Sequence, residues 1–277
     1  MALITISESI GCGGMTIAAR VADELKLELY DDRRLEKEAI QLGIQPEHVK
    51  SLEDKAPGLF SRFLSDKPQV YLDLLQAVVY EVAKGGSGII LGHGSQVLLR
   101  DFGCALHVCI HASESSRIEY LMDQRGLSRR AAEKLIHKTD NEQRGFLQFA
   151  FHMDWTDPSL YDLVINRDKL STDLAAKLIM EAAGSQEIEE CSATALESME
   201  RLSLSRRVEA AVLEDKLSRD VLHLGVFHIE VPEKGVVHIT GVTGEHEAEE
   251  HLLKVVKGVP GVDEVRSEVV VVPTGSV

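Results

Sequence analysis

The sequence predicts an α/β protein built on a parallel sheet, followed by a smaller α+β unit. Three observations carry this reading. Short apolar, β-branched runs alternate with helical patterns over residues 1–184, which indicates a parallel sheet covered on both faces. A glycine-rich turn, Gly11–Cys12–Gly13–Gly14, sits between the first strand and the first helix pattern, the context that gives such a loop meaning. Beyond residue 207 the rhythm changes to two alternating segments, an amphipathic helix and a closing strand.

ALITI (2–6) reads as a buried strand. After the glycine turn, TIAARVADELKL carries apolar residues at helical spacing. LELYD (27–31) reads as a second short strand. Segment 33–84 is mostly helical in pattern, broken near KAPG (55–58) and DKP (66–68). GIILG (88–92) and ALHVCI (105–110) are the third and fourth strands. Two helices follow, opening at serines suited to N-caps: HASESSRIEYLMDQRG, and the long LSRRAAEKLIHKTDNEQRGFLQFAF, capped by Ser128. YDLVIN (161–166) is a fifth strand and TDLAAKLIMEAA the last helix of this part. Ligands on such sheets bind at the carboxyl ends of strands. The glycine turn lies at one such end and LGHGS (91–95) at another.

GSQEIEECSATALESMER (184–201) is acidic and polar and reads as a linker or an exposed helix. Helical character resumes in RRVEAAVLEDKLSR. FHIEV and VVHIT then alternate apolar and polar residues across PEKG, a hairpin turn, before EHEAEEHLLKVVKGV and DEVRSEVVVVP supply a helix and a strand. The expected divisions are 1–184, a linker or helix at 185–206, and 207–277.

A net charge of −15 argues against general affinity for nucleic acid or anionic membrane. No apolar run reaches the ~20 residues of a membrane span. The N-terminus lacks a basic segment followed by an apolar core and a cleavage site, so a soluble cytoplasmic protein is expected. Cys12, Cys104, Cys109 and Cys191 show no CxxC spacing and read as reduced thiols. Cys12 is reactive if helix-start amides lower its pKa, and otherwise is a small residue that fits the turn.

A phosphate-cradling loop presents successive backbone N–H groups at the positive end of a helix dipole. The usual pattern is G-x-x-x-x-G-K-[ST]. In the matching window SIGCGGMT, Gly14 and Thr16 agree, while Ser9 replaces the first Gly and Met15 replaces Lys. On composition alone the loop is either a phosphate site or a tight strand–helix turn. A working site would draw its positive charge from elsewhere. Arg117, Arg125, Arg129, Arg130 and Arg144 all follow the fourth strand, and arginine forks match phosphate oxygens.

KTDNEQRGFLQFAFHMDWTDPSLYDLVINRDKLSTDLAAKLI (138–179) resembles the cytidylate kinase-like family, which has KTD, an Arg, an aromatic stretch and DWxDPxxYDLVIN in the same order. The likeness extends to ITISESIGCGGMTIAARVADELKLELYDD and GIILGHGSQVLL. It implies a P-loop nucleoside monophosphate kinase fold, three-layered with a five-stranded parallel sheet, and transfer of the ATP γ-phosphoryl group to a monophosphate such as CMP with Mg2+. By position it implies that Gly11, Cys12, Gly13, Gly14, Met15 and Thr16 surround the ATP phosphates, with the Thr16 hydroxyl on magnesium. Arg117 and Arg144 approach the transferring group, and Asp140 orients one of these arginines. Asp31, Gly92, His93 and Gly94 face the acceptor. Relatives often carry Arg where this chain has Met15 and His93, and neither residue replaces a guanidinium on phosphate.

The segment 207–273 resembles a BON domain, a small module that binds phospholipid or small ligands in other proteins. Its acidic helix suits anionic lipid poorly, which favours a docking or regulatory module for a small ligand or a protein, compatible with a homodimer. His223, His228, His238 and His246 fall here, with His251 close behind, and His228 and His238 are placed to meet across the hairpin. Three functions compete: a nucleotide kinase with a regulatory module, a nucleotide sensor without turnover, and an assembly protein with an empty loop.

Overall fold

The computed structural model describes residues 2–44, 68–188, 190–215, 218, 227–243 and 246–272. The first unit is an α/β layer structure. Its strands are β1 (Leu3–Glu8), β2 (Leu29–Tyr30), β3 (Gly88–Leu91), β4 (Ala105–His111) and β5 (Leu163–Asn166). They form one sheet in the order β2-β3-β1-β4-β5, and every pairing in it is parallel. β1 is central and wholly apolar or small on its buried stretch, as a strand covered on both faces must be.

The helices are α1 (Gly14–Leu25), α2 (Asp32–Gln41), α3 (Pro68–Ala83), α4 (Ser95–Leu98), α5 (Glu114–Arg125), α6 (Arg129–Phe151) and α7 (Thr172–Ala183). One core packs β1 and β4 against α1 and α7 through Ile4, Ile6, Val21, Val108 and Ile179. The opposite face packs Leu3 and Ile90 against α2 and α3. Ser113 and Ser128 cap α5 and α6 as the sequence predicts, each accepting from the amide three residues on. The predicted break at 55–58 and the first two residues of that at 66–68 lie outside the described residues, as does His223; Pro68 opens α3.

The stretch 184–201 is not an exposed linker throughout. Ser192 caps α8 (Ala193–Glu214), which begins well before the predicted resumption of helix. Met199 joins the core of Val78, Val79 and Val82 on α3, with Leu196 and Leu202 against it. Further along, Leu204, Val208 and Val212 join Val237, Ile239, Leu252 and Val256 in a second core. A helix buried on two sides shows no single apolar stripe, so periodicity did not reveal it.

The second core belongs to a three-stranded sheet, β6 (His228–Glu233), β7 (Val236–Thr243) and β8 (Glu264–Val271), order β6-β7-β8, with α9 (His246–Lys257) packed on it. β6 and β7 form the expected hairpin, turning at Gly235 with φ 73°. β8 runs parallel to β7. His228 lies opposite Thr240 and His238 opposite Glu230, so the two histidines do not face each other. Among the described residues no group of His, Cys, Asp and Glu is placed to hold a metal ion. No described helix is long and apolar enough to cross a membrane.

The cysteines correct one expectation. Cys104, before β4, and Cys191, before α8, form a disulfide with Cα atoms 4.9 Å apart, within the reach of that bond. The two are 87 residues apart in sequence and meet only because α8 docks on α3, which spacing cannot reveal. Cys12 and Cys109 are free and buried. Burial pushes the Cys12 thiol up to about 12, so it is a protonated, unreactive thiol at neutral pH.

Candidate functional site

The glycine loop joins the end of β1 to α1. Gly13, at φ 74°, is the N-cap residue, and no side chain at that position caps the helix. The first amides of α1 are therefore open to an anion, and Glu8 takes two of them. The Gly14 amide donates to Glu8 Oε2 at 2.6 Å and the Met15 amide to Glu8 Oε1 at 3.1 Å. A Cβ on Gly14 would come within 2.6 Å of the Glu8 carboxyl carbon, so only glycine permits this approach. Burial raises the Glu8 pKa, opposed by the two amides and then by Arg125 and Arg117. Met15 and Thr16 are exposed beside it, and Gly11, Cys12, Gly13 and Gly14 are buried.

Arg117 lies under the loop rather than above it. It is buried. Its Nε donates to the Ile10 carbonyl at 2.7 Å, and its Nη1 and Nη2 donate to the two Asp140 oxygens at 2.9 and 2.6 Å. A Cβ on Gly11 would stand 2.9 Å from the Arg117 carbonyl oxygen. Asp140 thus orients Arg117 by a two-pronged ion pair, and together they fasten α5 and α6 to the loop. Arg144, one helical turn beyond Asp140, is exposed and donates to Asn141 on its own helix at 3.3 Å.

The second predicted patch forms at the ends of β2 and β3. Asp31 caps α2, accepting from the Arg34 amide at 2.9 Å. Gly92, His93 and Gly94 are successive left-handed residues with φ of 78°, 60° and 69°. For a non-glycine such as His93 that conformation is uncommon and is held by its surroundings. The His93 ring is buried, with Nε2 2.8 Å from Asp32 Oδ1. Its Nδ1 has no hydrogen-bond partner among the described residues. Phe151, at the end of α6, closes directly over Gly94.

Sequence reasoning missed Glu8 and Asp32. Glu8 carried a signal, an acid at the last strand position before a loop expected to attract anions, but only the fold shows its side chain turning back onto α1. Asp32 was hidden beside Asp31, whose carboxylate is spent on the helix cap.

A parallel sheet in this order, with a glycine loop between its central strand and the next helix, has the architecture of a nucleotide or small-molecule kinase fold. The chain belongs to the cytidylate kinase-like family, whose family model matches residues 3–169. Among solved structures it is similar to a protein from Eubacterium ventriosum, with 17% identity over 67% of this chain and 100% of that one and a TM-score of 0.52. It is also similar to a sugar kinase from Janibacter sp., with 15% identity over 69% and 99% of the two chains and a TM-score of 0.43. A shikimate kinase from Bacteroides thetaiotaomicron aligns at 11% identity over 65% and 97%, TM-score 0.40. No curated protein matches the chain.

Proposed function

We propose that the chain is an ATP-dependent phosphotransferase acting on a nucleoside monophosphate of the cytidylate type, with residues 1–184 as the kinase-like part and 207–277 as a BON-like regulatory module. The observation that carries this reading is the pair of anion-binding amides at Gly14 and Met15, at the carboxyl edge of the central strand. The Glu8 carboxylate already on them is a stand-in anion, so the donor set fits a phosphate. Bound MgATP would supply the phosphoryl group, with magnesium offsetting its charge. The chain's own part is to hold the phosphates on the loop amides, to offer the Thr16 hydroxyl as an oxygen ligand, and to bring Arg144 from the lid. Arg117, with both prongs on Asp140, positions the lid helices against Ile10. The acceptor would lie near Asp31 and the Gly92–Gly94 turn, where the buried His93 ring is held by the exposed Asp32 carboxylate. The C-terminal module would take a small ligand or a protein, with a homodimer as one arrangement it permits.

A second reading, a nucleotide sensor with little or no turnover, is favoured by Met15, which brings no charge, and by the commitment of Arg117. Calorimetry of MgATP binding, followed by ADP release on adding CMP, dCMP, UMP or AMP, separates the two. Turnover with one acceptor supports the kinase, and binding with no ADP above background supports the sensor. Absence of binding would remove both.

A further inference from the structure

We propose that Glu8 is a built-in occupant of the phosphate cradle, so that a nucleotide gains the loop only by displacing it; this rests on the reading that the loop takes nucleotide phosphates. The contact is two-pronged, one carboxylate oxygen on each of the first two amides of α1. Those amides have no intrahelical partner and are the groups an anion takes at a helix start. Glu8 is not delivered by a wandering loop. It is the last residue of β1, and its backbone is registered against Ile110 of β4, so the sheet itself aims the side chain at α1. Gly14 completes the fit by having no Cβ in the way.

The amides cannot hold a carboxylate and a phosphate together. Both anions need the same N–H directions, and a phosphate beside a retained carboxylate meets like charge in a partly dry site. Nearby charge does little to relieve this. Met15 is apolar, and the Arg117 guanidinium is neutralised by Asp140. Arg125, and more weakly Arg117, favour the charged Glu8. The side chain must therefore rotate out before the loop closes on phosphate, and the free protein holds its own site shut.

The test is MgATP affinity by calorimetry for the wild type, Glu8→Ala and Glu8→Gln, with hydrogen exchange followed at Gly14 and Met15. First-turn amides ordinarily exchange freely, so protection at these two in the ligand-free wild type reports the carboxylate. Expected are protection in the wild type, its loss in Glu8→Ala, MgATP affinity about tenfold higher in Glu8→Ala as the competing charge-assisted bonds are removed, and an intermediate value for Glu8→Gln. Should Glu8→Ala not fold, Glu8→Gln carries the comparison, since it keeps the shape and drops the charge. Equal affinity in wild type and variant, or unprotected amides in the ligand-free wild type, would overturn the proposal. If the variants lose protection yet neither they nor the wild type bind MgATP, the nucleotide reading fails and Glu8 is a permanent helix cap, which overturns the displacement as well.

Discussion

Arg117 does more for the architecture than its place in an arginine-rich lid suggests. Its three donors go to one backbone carbonyl and one carboxylate, with side-chain exposures of 7% for Arg117 and 23% for Asp140. Removing one member of a shielded pair strands the other charge, a loss that typically costs about 3–5 kcal/mol. Arg117→Ala should therefore lower the stability of the chain by about 3 kcal/mol in urea unfolding, and Asp140→Asn by less, because an amide still accepts from the guanidinium. An Arg117→Ala midpoint indistinguishable from wild type would show that the pair is not holding α5 and α6 to the loop. The residue types were readable: Gly11, Gly14, Thr16, Arg117 and Asp140 all stand out in the sequence. Their partners were not, because a side chain's direction at the end of a strand depends on the neighbouring helix. Glu8 stands at the strand end before the loop, but its role shows only when the Gly14 amide is placed 2.6 Å from its carboxylate oxygen.

At the scale of elements, the joint between α3 and α8 carries a buried carboxylate. Asp73 is 1% exposed, accepts from Gln69 at 3.1 Å, and has Arg206 3.7 Å away. Arg206 is nearer Glu209, at 2.5 Å, so Asp73 is incompletely compensated. Burial first, and the Glu209 charge second, push Asp73 up to about 7. Its folded pKa lies above its unfolded one, so the folded state binds the extra proton between them. The stability this supplies is complete below about pH 4 and lost as pH rises through about 7. Asp73→Asn should flatten that part of the urea-midpoint profile, and an unchanged slope would show that Asp73 does not titrate in that window. The elements themselves were mostly legible, since the alternation of strands and helices needs only local patterning. β1, β3, β4 and β5 fall where the apolar runs are, and Ser113 and Ser128 begin their helices. α8 was not legible in its first half. Ala193 to Leu202 looks polar because only Leu196, Met199 and Leu202 are large and apolar there, all on the α3 side. The helix then turns its apolar residues to the small sheet, so a period search over its length finds no single face.

On the scale of the whole molecule, α8 is the part that the two units share. Leu196, Met199 and Leu202 pack on the α3 side, and Leu204, Val208 and Val212 on the small sheet. The Cys104–Cys191 bridge fixes the start of this helix to the edge of the first unit. A division at residue 184, natural on composition, would strip one wall from the core that holds Val78, Val79 and Val82. Burial of a side chain the size of Met199 is worth about 1.5–3 kcal/mol, and the partly buried leucines beside it add to that. A small unit of three strands and one helix is also close to the lower size limit for independent folding, so α8 contributes to both stabilities. A chain ending after residue 215 should keep a cooperative melt, with the exposed Leu204–Val212 face promoting self-association. A chain ending at 184 should melt at lower temperature, because it loses the α8 wall and leaves Cys104 unpaired. Thermal unfolding by circular dichroism, with size exclusion on both fragments, decides the matter. If the 184-residue chain melts as high as the 215-residue chain, α8 belongs to the C-terminal unit alone and the first core is complete without it.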